Sequence, residues 1–248
     1  MKILLSPAKK MKTDTDSLEA AGLPVFLEQS KTLLAWLRAK DAVELKRLWN
    51  CSEAIAAQNR ERLRDMDLEC GLTPAILAYE GLAYQYMAPA VFEDRHFAYV
   101  QQHLRILSAF YGVLKPLDGV VPYRLEMQAK GSIGEYRNLY AFWGSRLYEE
   151  LRGGLIVNLA SKEYSKCIEP YLTAADRFLS IDFCETSQGG LRTKGTYAKM
   201  ARGEMLRYMA EHQVEDPAQL KGFDRLNFCF HEALSNESRY VFLRAAHS

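Results

Sequence analysis

What the chain has little of is organised cysteine. Its five cysteines, Cys51, Cys70, Cys167, Cys184 and Cys229, are scattered, odd in number and free of any C-x-x-C pair. That argues against a cysteine-rich zinc site and fits a reducing cytoplasm. Long apolar runs are missing too. No stretch approaches the roughly 20 residues of a membrane span. Ile3-Leu4-Leu5 is too short for a signal-peptide core of roughly 7–15 residues. No membrane partner is expected, and the expected location is the cytoplasm. Neither sign of charge is in excess: 32 Lys and Arg face 31 Asp and Glu, for a net charge of +1. Overall charge therefore predicts no polyanion partner, and nucleic-acid binding requires a local basic surface. His96 and His103 stand seven apart, roughly 10 Å along a helix, too far to share one ion by themselves. His212, His231 and His247 have no local partner. No metal and no cofactor are expected.

What is present is ample material for a core, with 48% hydrophobic and 11% aromatic residues. Lys2–Leu5 reads as a short buried strand ended by Ser6-Pro7, and a basic loop follows from Ala8 to Asp16. Helices are expected over Val25–Ala39, over Asp41–Trp49 with Asp41 as N-cap, and from Ser52 to Asp65. Thr73-Pro74 opens a helix at Ala75. The aromatics Tyr79, Tyr84 and Tyr86 suit either base stacking or core packing, and core packing is the simpler account. Further helices are expected over Asn138–Leu151, Lys162–Ile168 and Tyr197–Glu211. Strands are expected over Leu155–Leu159, Arg177–Phe183 and Leu191–Thr196, the last two joined by a hairpin turn at Ser187–Gly190. Leu226–Leu234 and Arg239–Arg244 read as a closing antiparallel hairpin. With no internal repeat and no domain boundary, the economical fold is one compact α+β domain: a mixed sheet surrounded by helices. Lys2–Leu5 and Leu155–Leu159 should be interior strands, because both are continuous apolar runs bounded by breakers.

The most distinctive stretch is Leu104–Met127, LRILSAFYGVLKPLDGVVPYRLEM. Phe97, Val100, Leu104, Leu107 and Tyr111 recur at steps of 3, 4, 3 and 4, which predicts one face of a helix ending near Gly112. A tight hairpin follows, Lys115-Pro116-Leu117-Asp118-Gly119. Its backbone N–H groups, with Arg105, Lys115 and Arg124 nearby, suit DNA phosphates, and Gly119 allows close approach; on spacing alone an ordinary helix and loop packed on a core is the simpler account.

The whole chain resembles the YaaA family of bacterial peroxide-stress proteins. The segments that carry the resemblance are Ile3–Lys9 (ILLSPAK), Tyr79-Glu80-Gly81 with Tyr84, and Leu107–Met127. Leu139–Gly144 (LYAFWG), Val157–Tyr164 with Lys166 (VNLASKEYSK), and Tyr197–Gly203 (YAKMARG) complete it. The chain departs from the family pattern at Tyr86-Met87 and Gln128, and Lys10 and Lys12 make its first loop more basic than usual. The resemblance implies a compact α+β fold with a helix-hairpin-helix element, here at about 94–124. It also implies binding to double-stranded or structured DNA, and protection during peroxide stress linked to lower free iron.

The leading expectation is thus a monomeric DNA-binding protein without strong sequence preference. The residues expected to carry it are Lys9, Lys10, Arg105, Lys115, Asp118, Gly119, Arg124, Lys194, Lys199 and Arg202. The alternative is an enzyme acting on DNA or a nucleobase, lyase- or glycosylase-like. Helix-hairpin-helix glycosylases carry an Asp shortly after the hairpin, and here none lies between Asp118 and Asp176. A Schiff base on Lys115 would lack an assisting carboxylate. Asp182, Glu185 and Lys194 form a metal-nuclease set only if the fold gathers them.

Overall fold

The chain begins with a strand that belongs in the middle of a sheet. β1 (Lys2–Leu5) has Ile3, Leu4 and Leu5 fully buried, each contributing about 1.5–3 kcal/mol of burial. A run apolar on both faces fits only an interior position with both sides covered. The fold was obtained as a computed structural model, which describes residues 1–187 and 190–244. His247 and the tip of the expected 187–190 turn lie outside the described residues.

After β1 come β2 (Lys10–Met11), α1 (Leu27–Arg38), α2 (Ala42–Trp49) and α3 (Glu53–Asp65). The expected Asp41 cap is made, and Ser52 caps α3 as well. Asp41 accepts from the Val43 and Glu44 amides at 2.8 Å, and Ser52 Oγ accepts from Ile55 N at 3.5 Å. Then follow β3 (Thr73–Pro74), α4 (Ala75–Ala78), β4 (Tyr79–Glu80), α5 (Leu82–Met87) and α6 (Asp94–His103). β5 (Leu104–Ser108), β6 (Gly112–Leu114) and β7 (Gly119–Val120) occupy the distinctive stretch. The expected Asn138–Leu151 helix is broken at Gly144, whose φ of +54° favours glycine, into α7 (Leu139–Trp143) and α8 (Arg146–Leu151). The second half adds β8 (Leu155–Asn158), α9 (Lys162–Ser165), β9 (Arg177–Ser187) and β10 (Gly190–Arg192). α10 (Gly195–Glu211), β11 (Phe228–Phe230) and β12 (Arg239–Arg244) complete the set.

The result is a single compact α+β fold around a mixed, 8-stranded sheet of order β11-β12-β9-β8-β1-β5-β6, with β10 pairing β9. β12, β9, β8, β1 and β5 run parallel, while β6, β10 and β11 run antiparallel to their neighbours. Ile3 stands level with Leu104 on one side and Val157 on the other. Both runs expected to be interior strands are therefore interior. One hydrophobic cluster runs through the described residues, and Tyr79 and Tyr84 are buried in it, as core packing requires.

The distinctive stretch corrects the sequence reading. The helix ends at His103, and Leu104–Ser108 is a strand between β1 and β6, buried at every position. A fully buried strand has no polar face, so its leucines extended the helical spacing of Phe97 and Val100 by coincidence. Beyond the hairpin, β7 pairs with β3, and no helix occurs over 121–138. A helix-hairpin-helix is not formed here: one helix leads into a strand hairpin.

Gly203 sets the closest helix contact. α10 packs on α5 so tightly that a Cβ at Gly203 would overlap the Ala83 carbonyl oxygen and stand 2.9 Å from Met87 N. Alanine has the better helix propensity by about 1 kcal/mol, but the enforced separation costs more, about 1–3 kcal/mol by overpacking. Gly203→Ala should lower the urea midpoint of unfolding. An unchanged or higher midpoint would contradict this packing.

Candidate functional site

The sheet topology creates the site. From β1 the chain crosses to β5 and β6 on one side, and later to β8, β9 and β12 on the other. The junction of β1 and β8 is thus a switch point, where the connections leaving the two carboxyl ends diverge and open a crevice. Ser6, Pro7, Ala8, Lys9 and Lys10 leave β1 along one edge of it. Leu159, Ser161, Glu163 and Tyr164 leave β8 along the other. Gly81–Tyr84, the 123–126 segment, and Lys199 and Arg202 of α10 form the remaining walls. The crevice has a volume of about 350 Å³.

Its floor is held by hydroxyls. Ser161 N donates to Ser6 Oγ at 2.8 Å, the two serine hydroxyls lie 3.2 Å apart, and Tyr84 donates to Ser6 O at 3.0 Å. The Tyr123 hydroxyl sits 2.7 Å from Ser108 Oγ and 3.0 Å from the Tyr79 hydroxyl. Burial pushes the Tyr123 hydroxyl up to about 12, so it is neutral and available as a donor.

The charges divide into paired and unpaired. Arg124 lies 2.7 Å from Glu126 in an ion pair not aligned as a hydrogen bond, and Lys9 approaches the same carboxylate at 3.8 Å. Burial raises the Glu126 pKa, against the pull of Arg124 and Lys9. Lys10 pairs with Glu80 at 3.0 Å. Lys199 is exposed, with no ion pair among the described residues. Arg202 is set apart. Its Nε is shut off from solvent without an acceptor, and burial lowers its pKa, opposed by the field of Asp182. An adjoining cavity of about 620 Å³ shares Lys9, Glu126 and Glu163 and adds Arg47 and Lys130.

Of the ten residues expected from sequence, the fold gathers Lys9, Lys10, Arg124, Lys199 and Arg202 around the crevice. Lys194 lies outside its lining, 3.6 Å from Glu185 and over the Tyr197 ring. Arg105, Lys115, Asp118 and Gly119 do not join it. The hairpin leaves β6 towards the amino-terminal ends of β1 and β5, where burial, Arg105 and Lys115 lower the pKa of Lys2. Arg105 is buried and donates to Leu104 O and Gln101 O. The hairpin amides are already used. Lys115 N donates to Asp118 Oδ2, Leu117 N to Gln101 Oε1, Asp118 N to Lys115 O and Gly119 N to Gly22 O, and Pro116 has no N–H. Gly119 serves packing instead: a Cβ there would meet Leu72 at 2.7 Å. Arg47 and Lys130 are not among the expected site residues, and nothing local in the sequence marks them, whereas Ser6, Tyr123 and Ser161 lie in segments that carry the YaaA resemblance.

Asp182 is paired with Arg239 at 2.7 Å, and Glu185 with Arg244 at 2.9 Å, so the nuclease-like set is committed to ion pairs. Among the described residues no group of three or more His, Cys, Asp or Glu is arranged to hold a metal ion. His103 contacts Met1 O and Glu215, and His96 Nδ1 accepts from Glu93 N.

The model of the family described as peroxide stress protein YaaA matches residues 1–234. The chain belongs to the YaaA family. A UPF0246 protein of Agathobacter rectalis is 58% identical over 246 residues, covering 98% of this chain and 99% of that protein. A UPF0246 protein of Lachnoclostridium phytofermentans is 52% identical, covering 98% and 96%. One of Pediococcus pentosaceus is 49% identical, covering 98% of each. Membership in the YaaA family supports a role in the response to peroxide. Five of the segments on which the YaaA resemblance rests, Ile3–Lys9, Tyr79–Tyr84, Leu107–Met127, Val157–Tyr164 and Tyr197–Gly203, contribute residues to the crevice.

The hairpin analysis yields a pH dependence. Burial pushes the Asp118 carboxyl up to about 6, opposed by the Lys115 amide and by the charges of Lys115 and Arg105. The unfolded carboxyl titrates near ~3.9. Between about pH 4 and 6 the folded chain therefore holds the extra proton, and this group's contribution makes stability fall as pH rises. Asp118→Asn keeps an oxygen for the Lys115 amide and removes the charge. It should be more stable than the parent near neutral pH, on the order of 2 kcal/mol, with the difference vanishing below about pH 4. Urea melts across pH check this; a variant no more stable than the parent at neutral pH would contradict it.

Proposed function

We propose that this chain binds double-stranded or structured DNA without strong sequence preference and protects it during peroxide stress. The observation that supports this best is the convergence of Lys9, Lys10, Arg124, Lys199 and Arg202 on one crevice lined by only three carboxylates, Glu80, Glu126 and Glu163. In a chain of net charge +1, that concentration is the local basic surface that phosphate binding requires. Arg47 and Lys130 extend it along the adjoining cavity. A duplex is too wide to enter, so its backbone lies across the mouth and the rim lysines neutralise phosphates.

The proposal includes action in the cytoplasm as a monomer, and a link to lower free iron. Lysines and arginines that neutralise phosphates displace condensed counterions. Iron held at DNA belongs to that atmosphere, so its displacement moves hydroxyl-radical formation away from the bases, an effect separate from the lowering of free iron, because displaced counterions return to solution.

Fluorescence anisotropy with a labelled duplex tests the proposal. Affinity should fall steeply between about 50 and 200 mM salt. Lys199→Ala removes an unpaired cation and should reduce the salt slope by about one unit. Lys10→Ala should cost less, because Lys10 is already paired with Glu80. Lys115→Ala should match the parent. Absent or salt-independent binding would overturn the reading, as would a loss on Lys115→Ala equal to that on Lys199→Ala.

A further inference from the structure

The floor of the crevice differs from its rim. Glu80 and Glu126 are each held by cations from the rim loops, Lys10 for the first and Arg124 with Lys9 for the second. Glu163 Oε1 accepts from Gln128 N at 3.3 Å, on the side of the adjoining cavity. Arg202 is left over. It makes no hydrogen bond or ion pair with any described residue, and its Nε is closed off from solvent. A half-buried guanidinium whose Nε is sealed off without an acceptor carries an unsatisfied donor, and in a crevice it marks the place of an anion. Lys199, three residues earlier on α10, lines the same crevice and is likewise unpaired. Two cations at that spacing share a helix face.

The rest of the interior is not built for a bare anion. Pro7, Ala8, Leu82 and Ala83, all half-buried, contribute the accessible apolar wall, while Tyr84 and Tyr123 are buried behind it with their hydroxyls held from below. The volume of about 350 Å³ falls at the lower end of small-molecule sites, about 300–1,000 Å³. A duplex does not fit; one nucleotide does. Base faces pack on aromatic and apolar walls without sequence preference, and phosphates take guanidinium and ammonium partners.

We propose that the crevice receives a single unpaired nucleotide, its phosphate against Arg202 and Lys199 and its base against the wall of Pro7, Ala8, Leu82 and Ala83. This rests on the DNA-binding reading, in which the rim holds the flanking duplex while one unstacked nucleotide enters. The same chemistry is offered by a free nucleoside monophosphate, and the test separates the two sources.

The test compares a labelled duplex carrying one bulged thymidine with the fully paired duplex, by anisotropy at fixed salt. Free thymidine 5′-monophosphate and inorganic phosphate serve as competitors and, separately, as titrants in calorimetry. The parent should bind the bulged duplex about tenfold tighter, the scale of burying part of one base against an apolar wall. Thymidine 5′-monophosphate, and not inorganic phosphate, should erase that preference. Arg202→Met should abolish the preference and leave or raise the melting temperature, because it removes an unsatisfied donor; a purely structural arginine would lower it. Should Arg202→Met fail to fold, Lys199→Ala, an exposed position, carries the test through a reduced bulged-to-paired ratio. Equal affinity for both duplexes with no calorimetric binding of the monophosphate would overturn the inference and leave duplex binding standing. Equal competition by inorganic phosphate would also overturn it, since the base would then go unread. If neither duplex binds but the monophosphate does, in an Arg202-dependent manner, the DNA reading fails and the site takes a free nucleotide.

Discussion

Everything in this molecule depends on one strand buried on both faces. Ile3, Leu4 and Leu5 of β1 fill the centre of the sheet, flanked by β5 and β8 in parallel register. Parallel neighbours cannot be joined by tight turns, so the chain must cross over on both sides of β1. The crevice is the geometric consequence: connections that diverge from adjacent carboxyl ends leave a gap between them. Ser6 and Ser161, the residues that close its floor, stand 155 apart in sequence and meet only because β1 and β8 are neighbours.

The same constraint explains how charge is arranged. Cations on the loops leaving β1 sit near carboxylates from other segments and are largely compensated, as Lys10 is by Glu80. Lys199 and Arg202 approach the crevice from α10, a helix pressed against α5 at Gly203, and among the described residues no carboxylate faces them closely enough to pair. Hence the uncompensated positive charge lies on one wall, beside apolar surface. A chain that is nearly neutral overall still has a strongly directional site.

Elements governed by local physics were legible in the sequence. The cap at Asp41 satisfies nearby amides, and the apolar runs of β1 and β8, bounded by Pro7 and by Gly153-Gly154, admit only interior strands. The misreading of 104–111 has a definite origin: α6 passes directly into a strand with no breaker between His103 and Leu104, so two periodicities merged into one. The candidate site was half legible. Lys9, Lys199 and Arg202 belong to segments that resemble the YaaA family. Yet nothing local distinguishes Arg202, unsatisfied in a crevice, from Arg105, buried and bonded to carbonyl oxygens. Likewise the hairpin amides look free in sequence, because their acceptors, Gln101 Oε1 and Gly22 O, come from elsewhere in the chain.

The central claim is that DNA is met at the carboxyl ends of β1 and β8 rather than at the 115–119 hairpin. Photo-crosslinking to a duplex with reactive groups on its phosphates, followed by mass spectrometry of the crosslinked peptides, tests it most directly. The account predicts adducts on the peptides containing Lys9-Lys10 and Lys199, and none on the peptide containing Lys115. Adducts concentrated on Lys115 with the crevice peptides unmodified would contradict it.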